Sequence, residues 1–171
     1  MRKVLLLFLC FALLSSCAVT KTSNDFVFPT RSGKDKYIRA YNNALKLWSV
    51  KFEETDIITK FGSAHVLISG PKNGNPVVLF HGTDASSTMW YPNIKALSKK
   101  NRVDAIDYPL EAGKSVASVN NMELRDMILF YNDVFNQLKL NKFDIVGASR
   151  GAWVALMLTV EDSSRVKKLL L

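Results

Sequence analysis

The 171-residue sequence is 48% hydrophobic, which is enough apolar material for one globular core. Its formal net charge is +8, but the basic residues lie singly or in pairs, without the clustered cations and interleaved aromatics of a nucleic-acid-binding surface, so we expect no nucleic-acid partner. The sequence has two histidines, two cysteines in the first seventeen residues and no phosphate-binding glycine motif, so we expect neither a metal site nor a cofactor.

The N-terminus has the layout of a secretory signal peptide. Arg2 and Lys3 precede an apolar run from Val4 to Leu14, which is too short to span a bilayer. The run ends in Leu-Ser-Ser-Cys, which resembles the bacterial lipobox, where the cysteine is lipidated and becomes the mature N-terminus. We therefore expect residues 1–16 to be a signal peptide and Cys17 to anchor an exported protein to a membrane of the bacterial cell envelope. An ordinary cleaved signal or a small core helix is the alternative.

A polar segment from Cys17 to residue 33 predicts a tether, and we expect the folded domain to span residues 34–171. Apolar residues then recur every three or four positions from Tyr37 to Trp48, which predicts an amphipathic helix that begins near Ser32 or Asp35. Beyond it the pattern becomes β-rich. This predicts a hairpin with strands at Thr55–Thr59 and Ala64–Ser69 and a turn at Phe61-Gly62.

Strands and helices alternate along the rest of the chain. The predicted strands are Val77–Phe80, Arg102–Asp107, Phe143–Val146 and Val166–Leu171. The predicted helices are Trp90–Lys99, Met122–Leu138 and Ala152–Val160. Such alternation predicts an α/β fold with a mostly parallel sheet and helices on both faces, made mixed by the leading hairpin. Ligands of these sheets bind outside the carboxyl ends of the strands.

One motif at the carboxyl end of a predicted strand contains a candidate catalytic residue. Residues Gly147 to Gly151 read Gly-Ala-Ser-Arg-Gly, the GxSxG pattern of a nucleophile elbow, directly between a predicted strand and a predicted helix. The glycines at Gly147 and Gly151 would let strand and helix approach closely, and Ser149 would lie at a helix N-terminus that favours developing negative charge. The non-functional alternative is an ordinary strand-to-helix turn whose serine has no catalytic role.

With this motif and a His-Gly turn at the end of an earlier strand, the sequence from the first predicted helix onwards resembles a bacterial α/β-hydrolase of the carboxylesterase type. The resemblance implies that Ser149 is the nucleophile and that the backbone N–H groups of Thr83 and Arg150 form the oxyanion hole. It implies that His81 and Gly82 shape the oxyanion loop. Arg150 could instead recognise an anionic substrate group.

The stretch from Asp107 to Ser115 is similar to the turn that follows the family's fourth strand. Leu110 stands there where the family has a glycine, so the sequence departs from the pattern in this loop.

The general base is not evident in the sequence. In the family an acid and then a histidine follow the nucleophile, yet no histidine follows Ser149, and Glu161 and Asp162 would only end a helix. The family's strand order would place His65 three strands from the nucleophile, about 14 Å away, so we expect it to be structural. His81 would lie on the neighbouring strand and is the alternative base.

The sequence ends inside the apolar run Val166–Leu171, which would leave a hydrophobic sheet edge of a kind that complete folds avoid. We therefore expect the fold to be incomplete at its C-terminus and to lack the catalytic acid, the histidine and any lid. The resulting hypothesis is a serine hydrolase of small carboxylic esters that is inactive as this chain. The alternative is a non-catalytic lipoprotein of the same fold that binds a partner or ligand.

Overall fold

A computed structural model describes residues 26–171 of the protein. The predicted signal peptide, the lipidation at Cys17 and most of the predicted tether lie outside the described residues. Between residues 26 and 171, none of the helices combines the length and the apolar composition needed to cross a bilayer.

Four α-helices, one 3₁₀-helix and seven strands are present in the described part of the chain. The α-helices are α1 (Arg31–Leu45), α2 (Ile94–Leu97), α3 (Leu124–Gln137) and α4 (Arg150–Glu161), and the 3₁₀-helix is Ser87–Trp90. The strands are β1 (Phe52–Thr59), β2 (Gly62–Ser69), β3 (Asn75–Phe80), β4 (Asn101–Ile106), β5 (Val116–Ala117), β6 (Phe143–Gly147) and β7 (Val166–Leu170).

The strands form one mixed sheet in the order β1-β2-β4-β3-β6-β7, with the short β5 paired to β2. Strands β4, β3, β6 and β7 are mutually parallel, whereas β1, β2 and β5 add antiparallel pairs. The predicted fold class, a mostly parallel mixed sheet with a leading hairpin, is confirmed. All parallel carboxyl ends therefore lie along one edge of the sheet, where ligands of such folds bind.

Alternate residues of the central strand β3 enter two separate cores. Val78 and Phe80 face α3 and α4 on one side of the sheet, whereas Val77 and Leu79 face α1 and α2 on the other. A strand covered on both faces should read as a continuous apolar run, as β3 does. The predicted placement of helices on both faces is thus confirmed.

Two helices differ from the sequence prediction for local reasons. Helix α1 begins at Arg31, within the predicted tether, because the Thr30 side chain accepts a hydrogen bond from the Gly33 N–H at 3.0 Å and caps the helix. The single helix predicted over Trp90–Lys99 is wrong. It is divided into the 3₁₀-helix and the one-turn α2, because Pro92 between them has no N–H to donate.

The loop after β4 also differs from expectation. It contains the unpredicted strand β5, whose two residues pair with Gly62 and Ser63 at the start of β2. Leu110 is not among the residues with positive φ in the described chain, so this loop turns without the left-handed conformation that would require a glycine.

Candidate active site

The His81 loop and the Ser149 turn meet at the carboxyl edge of the sheet. Strands β3 and β6 are parallel neighbours, and their last residues, Phe80 and Gly147, are paired in register. The next residues of both strands therefore leave the sheet side by side. A Cβ atom built on Gly82 would lie 3.6 Å from the Ser149 Cβ, so the two segments are in contact.

Ser149 occupies a sharp turn between β6 and α4. Its dihedral angles are φ 53° and ψ −115°, a combination that residues with a side chain rarely adopt. Backbone strain of this kind costs about 1–3 kcal/mol and concentrates at functional sites. The residue is exposed at this edge of the sheet.

The two flanking glycines allow this turn because nothing larger fits. A Cβ on Gly147 would lie 2.4 Å from the Gly151 oxygen, and a Cβ on Gly151 would lie 2.3 Å from the Phe80 oxygen. Both distances are far inside van der Waals contact, and both contacts are with backbone atoms. The start of α4 is therefore in close contact with the ends of β3 and β6.

Helix α4 begins at Arg150, directly after Ser149. The N–H groups of Gly151 and Ala152 already donate to the oxygens of Ala148 and Ser149, at 2.8 and 2.9 Å, which leaves the Arg150 N–H for an anion at this end of the helix. Together with the helix dipole, this N–H meets the electrostatic requirement for one donor of an oxyanion hole. The second sequence-predicted donor, Thr83, lies in the exposed part of the loop that begins at Gly82.

His81 is fully buried and both of its ring nitrogens are engaged. The Tyr108 N–H donates to Nε2 at 3.1 Å, which requires Nε2 to be unprotonated, so Nδ1 carries the hydrogen and donates to the Gly82 oxygen at 2.8 Å. Burial also lowers the pKa of His81 and favours this neutral form. With its lone pair occupied, His81 supports the loop and is not free to accept a proton from Ser149.

The Arg150 side chain contacts the loop after β4. Its Nη1 donates to Oε1 of Glu111, and its guanidinium lies 4.9 Å from the centre of the Tyr108 ring. The Glu111 side chain is only 11% exposed. The charge of Arg150 is thus already compensated, which weighs against the alternative that Arg150 recognises an anionic substrate.

Asp107 connects the loops around the site and was not singled out from the sequence. Its buried carboxylate accepts hydrogen bonds from the Ser87 N–H at 2.7 Å and from the Lys114 N–H at 2.9 Å. One side chain therefore fixes both the loop after β3 and the loop after β4. The available signal was a charged residue directly after a buried strand, where an unpaired carboxylate would be costly.

The other candidate residues lie away from Ser149. His65 is on β2, three strands from β6, and its ring nitrogens contact Asp56 at 2.8 Å and Glu54 at 3.0 Å. Glu161 is the last residue of α4, at the far end of the helix from Ser149, and Asp162 follows it. Across residues 26–171, no three His, Cys, Asp or Glu side chains are grouped so that they could hold a metal ion.

Comparison with known proteins agrees with this architecture. The family model described as alpha/beta hydrolase fold matches residues 75–171, which is more than half of the chain. The chain belongs to the alpha/beta hydrolase fold family.

Curated members of this family resemble the chain over about three quarters of its length. It is 37% identical over 132 residues to the uncharacterised carboxylesterase nap of Bacillus subtilis, covering 77% of this chain and 44% of that protein. It is 33% identical over 133 residues to the carboxylesterase YbfK of the same organism, covering 78% of this chain and 45% of the relative. The chain therefore spans less than half the length of these relatives.

A solved structure of the same family has the same fold. The crystal structure of naproxen esterase from Bacillus subtilis superposes with a TM-score of 0.78 at 36% identity, covering 81% of this chain and 48% of the esterase. This hydrolase-fold chain is thus carboxylesterase-like in both sequence and structure.

Proposed function

We propose that the protein is a serine hydrolase of small carboxylic esters, with Ser149 as its nucleophile. The observation that carries the proposal is the strained, exposed position of Ser149 at the start of α4, in contact with the His81-Gly82 turn. A backbone this unfavourable is retained where a side chain has to be presented to a substrate. Similarity to two carboxylesterases gives the same class of substrate.

In the proposed reaction the Ser149 Oγ attacks the ester carbonyl carbon while its proton passes to a general base. The carbonyl oxygen becomes an oxyanion that accepts hydrogen bonds from the backbone N–H groups of Thr83 and Arg150. Collapse of this intermediate expels the alcohol, which takes the proton from the base, and water then releases the acid from the acylated serine.

The base is the part of this reaction that the described residues do not provide. The sequence contains two histidines; His81 is held neutral with both nitrogens bonded, and His65 lies three strands away. Without a base, a serine hydroxyl stays protonated near neutral pH and is a poor nucleophile. We therefore propose that residues 26–171 alone have no appreciable turnover. The second candidate function is a non-catalytic binding protein with the same fold.

The test supplies the half of the fold that the relatives contain beyond the matched region. Residues 26–171 are fused to the downstream half of the Bacillus subtilis naproxen esterase, and hydrolysis of a short-chain aryl ester is followed. We expect turnover by the fusion, none by residues 26–171 and none by the fusion carrying Ser149→Ala.

Two other outcomes would change the assigned base or the assigned function. Turnover by residues 26–171 that is lost on His81→Ala would make His81 the base. A folded but inactive fusion would favour the binding protein.

We further propose that the protein is exported and anchored to a membrane of the cell envelope through a lipid on Cys17. The support is the sequence of the N-terminal segment, with an apolar run followed by Leu-Ser-Ser-Cys. Mass spectrometry should find a diacylglycerol-modified N-terminus that Cys17→Ala abolishes, with release of the protein from membranes. An unmodified, soluble wild-type protein would contradict the proposal.

A further inference from the structure

The two proposed oxyanion donors lie on separate segments of the chain, and one further loop contacts both segments. Thr83 follows β3 and Arg150 begins α4, and the loop Tyr108–Ser115, here called the β4 loop, contacts both segments. The Tyr108 N–H donates to His81 in the first segment, and Glu111 binds the side chain of Arg150 in the second. The β4 loop therefore adds a second link between the two donors, beside the pairing of β3 with β6 and the hydrogen bond from the Ala148 N–H to the Phe80 oxygen at 3.1 Å.

The Glu111 carboxylate is largely buried, so its charge needs a compensating partner. Its side chain is 11% exposed, and its Oε2 has no hydrogen-bond partner among the described residues. That oxygen lies 3.9 Å from Nδ1 of His81, too far for a hydrogen bond, and the His81 proton is already donated to Gly82. Arg150 is thus the group that compensates the Glu111 charge; its own side chain is 39% exposed, so the pair is partly buried, with the carboxylate as its more buried member.

Arg150 is restrained from two sides. Glu111 binds its Nη1, and the Tyr108 ring lies against its guanidinium at 4.9 Å. A guanidinium over an aromatic face is attracted by the ring electrons. Because the same residue begins α4, restraint of its side chain also restrains the backbone N–H that follows Ser149.

We propose that Glu111 is a positioning residue for ester hydrolysis, which acts through Arg150 to fix the backbone N–H of the oxyanion hole. This inference rests on the proposed function. Glu111 remains a carboxylate throughout and transfers no proton. Oxyanion donors stabilise the transition state only when they are already placed where the charge develops, so loosening Arg150 lowers the rate of the chemical step.

The effect of Glu111 on the backbone is tested by hydrogen exchange on the 171-residue protein, which does not require activity. We expect Glu111→Gln to accelerate exchange of the backbone amides of Arg150 and Gly151 at least about tenfold, with exchange in β3 and β4 unchanged. The matched control is Glu53→Gln, which neutralises an exposed carboxylate on β1. Unchanged exchange at Arg150 in the Glu111→Gln variant would overturn the proposal.

The pair as a unit is tested by the double variant Glu111→Gln/Arg150→Gln. It replaces both charged side chains with amides, so no unpaired charge remains at the site. Exchange at residues 150 and 151 can then be measured even if the single variant does not fold. Two amides make a weaker hydrogen bond than an ion pair does, so we expect exchange at residues 150 and 151 to remain faster than in the wild type. Wild-type exchange in the double variant would also overturn the proposal.

The catalytic half is tested in the fusion with the naproxen esterase half. We expect Glu111→Gln to lower kcat about ten- to a hundredfold with little change in KM, below the hundred- to thousandfold loss typical of removing an oxyanion donor. If Arg150 instead recognised a substrate carboxylate, freeing it from Glu111 would lower KM for an anionic ester and leave kcat unchanged, which would refute the positioning role.

The two proposals fail in different ways. An inactive fusion with altered exchange in Glu111→Gln would refute the proposed function, and the catalytic role with it, while leaving the contact itself intact. An active fusion whose kcat is insensitive to Glu111→Gln would refute the positioning role alone.

Discussion

Replacing Ser149 with glycine should stabilise the fold while removing the proposed nucleophile. The φ of 53° and ψ of −115° at Ser149 strain a residue that has a Cβ, at about 1–3 kcal/mol, and glycine relieves this strain. Glycine also makes the unfolded chain more flexible, which costs about 0.4–1 kcal/mol. The difference predicts that Ser149→Gly raises the free energy of unfolding by about 1 kcal/mol, or roughly 2–4 °C in Tm for a chain of this size.

Urea unfolding of residues 26–171, followed by circular dichroism, measures this difference against two control variants. Ser149→Ala keeps the Cβ and the strain, so its stability should stay near that of the wild type. Ser163→Gly places glycine at an exposed turn residue outside the positive-φ set and should lose stability, opposite in sign to Ser149→Gly. A Ser149→Gly variant less stable than Ser149→Ala would refute the strained geometry, and with it the main support for the nucleophile.

Three further substitutions test the contacts around Ser149. In Asp107→Asn, one of the two backbone N–H groups that donate to the carboxylate would face an amide nitrogen, which cannot accept. We expect the free energy of unfolding, measured in urea, to fall by about 3 kcal/mol. The exposed control Asp35→Asn should lower it by less than about 0.5 kcal/mol. Gly151→Ala brings a Cβ within 2.3 Å of the Phe80 oxygen and should cost about 1–3 kcal/mol; wild-type stability would contradict the close contact between α4 and β3. Burial lowers the pKa of His81 in the folded state. Neutral His81 therefore stabilises the fold above the unfolded pKa of about 6.5, and this stabilisation is lost as the pH falls towards the pKa of the folded state. The stability advantage of the wild type over His81→Gln should therefore shrink by about 1 kcal/mol between pH 7.5 and pH 5.5, and a constant advantage would contradict a buried neutral imidazole.

The fold was predictable where a local pattern is strong. The apolar run of β3 indicated a strand covered on both faces, and the two β-rich runs joined by the Phe61-Gly62 turn indicated the hairpin that β1 and β2 form. Helix ends were predicted less well, because they depend on single contacts such as the Thr30 cap of α1. The two-residue β5 has no pattern of its own and exists through its pairing with β2.

The candidate site was predictable only in part, for a similar reason. Its glycine spacing reflects a backbone requirement that sequence records directly, and the structure places Ser149 between β6 and α4. The roles of Asp107 and Glu111 depend instead on contacts over 20 and 39 residues of sequence separation. Both residues lie in the stretch that resembles the family's turn after the fourth strand, but that resemblance gives neither of them a role, and only the folded loops show that they join the two sides of the site.

The most direct test of the account is to trap the covalent intermediate at Ser149. The fusion of residues 26–171 with the naproxen esterase half is mixed with p-nitrophenyl acetate, quenched in acid within the first turnover, digested and analysed by mass spectrometry. We expect one acetyl group on the peptide that contains Ser149, and none on that peptide from the Ser149→Ala fusion. An active fusion with its acetyl group on another residue, or with no acyl intermediate at any quench time, would contradict the assignment of Ser149 as the nucleophile.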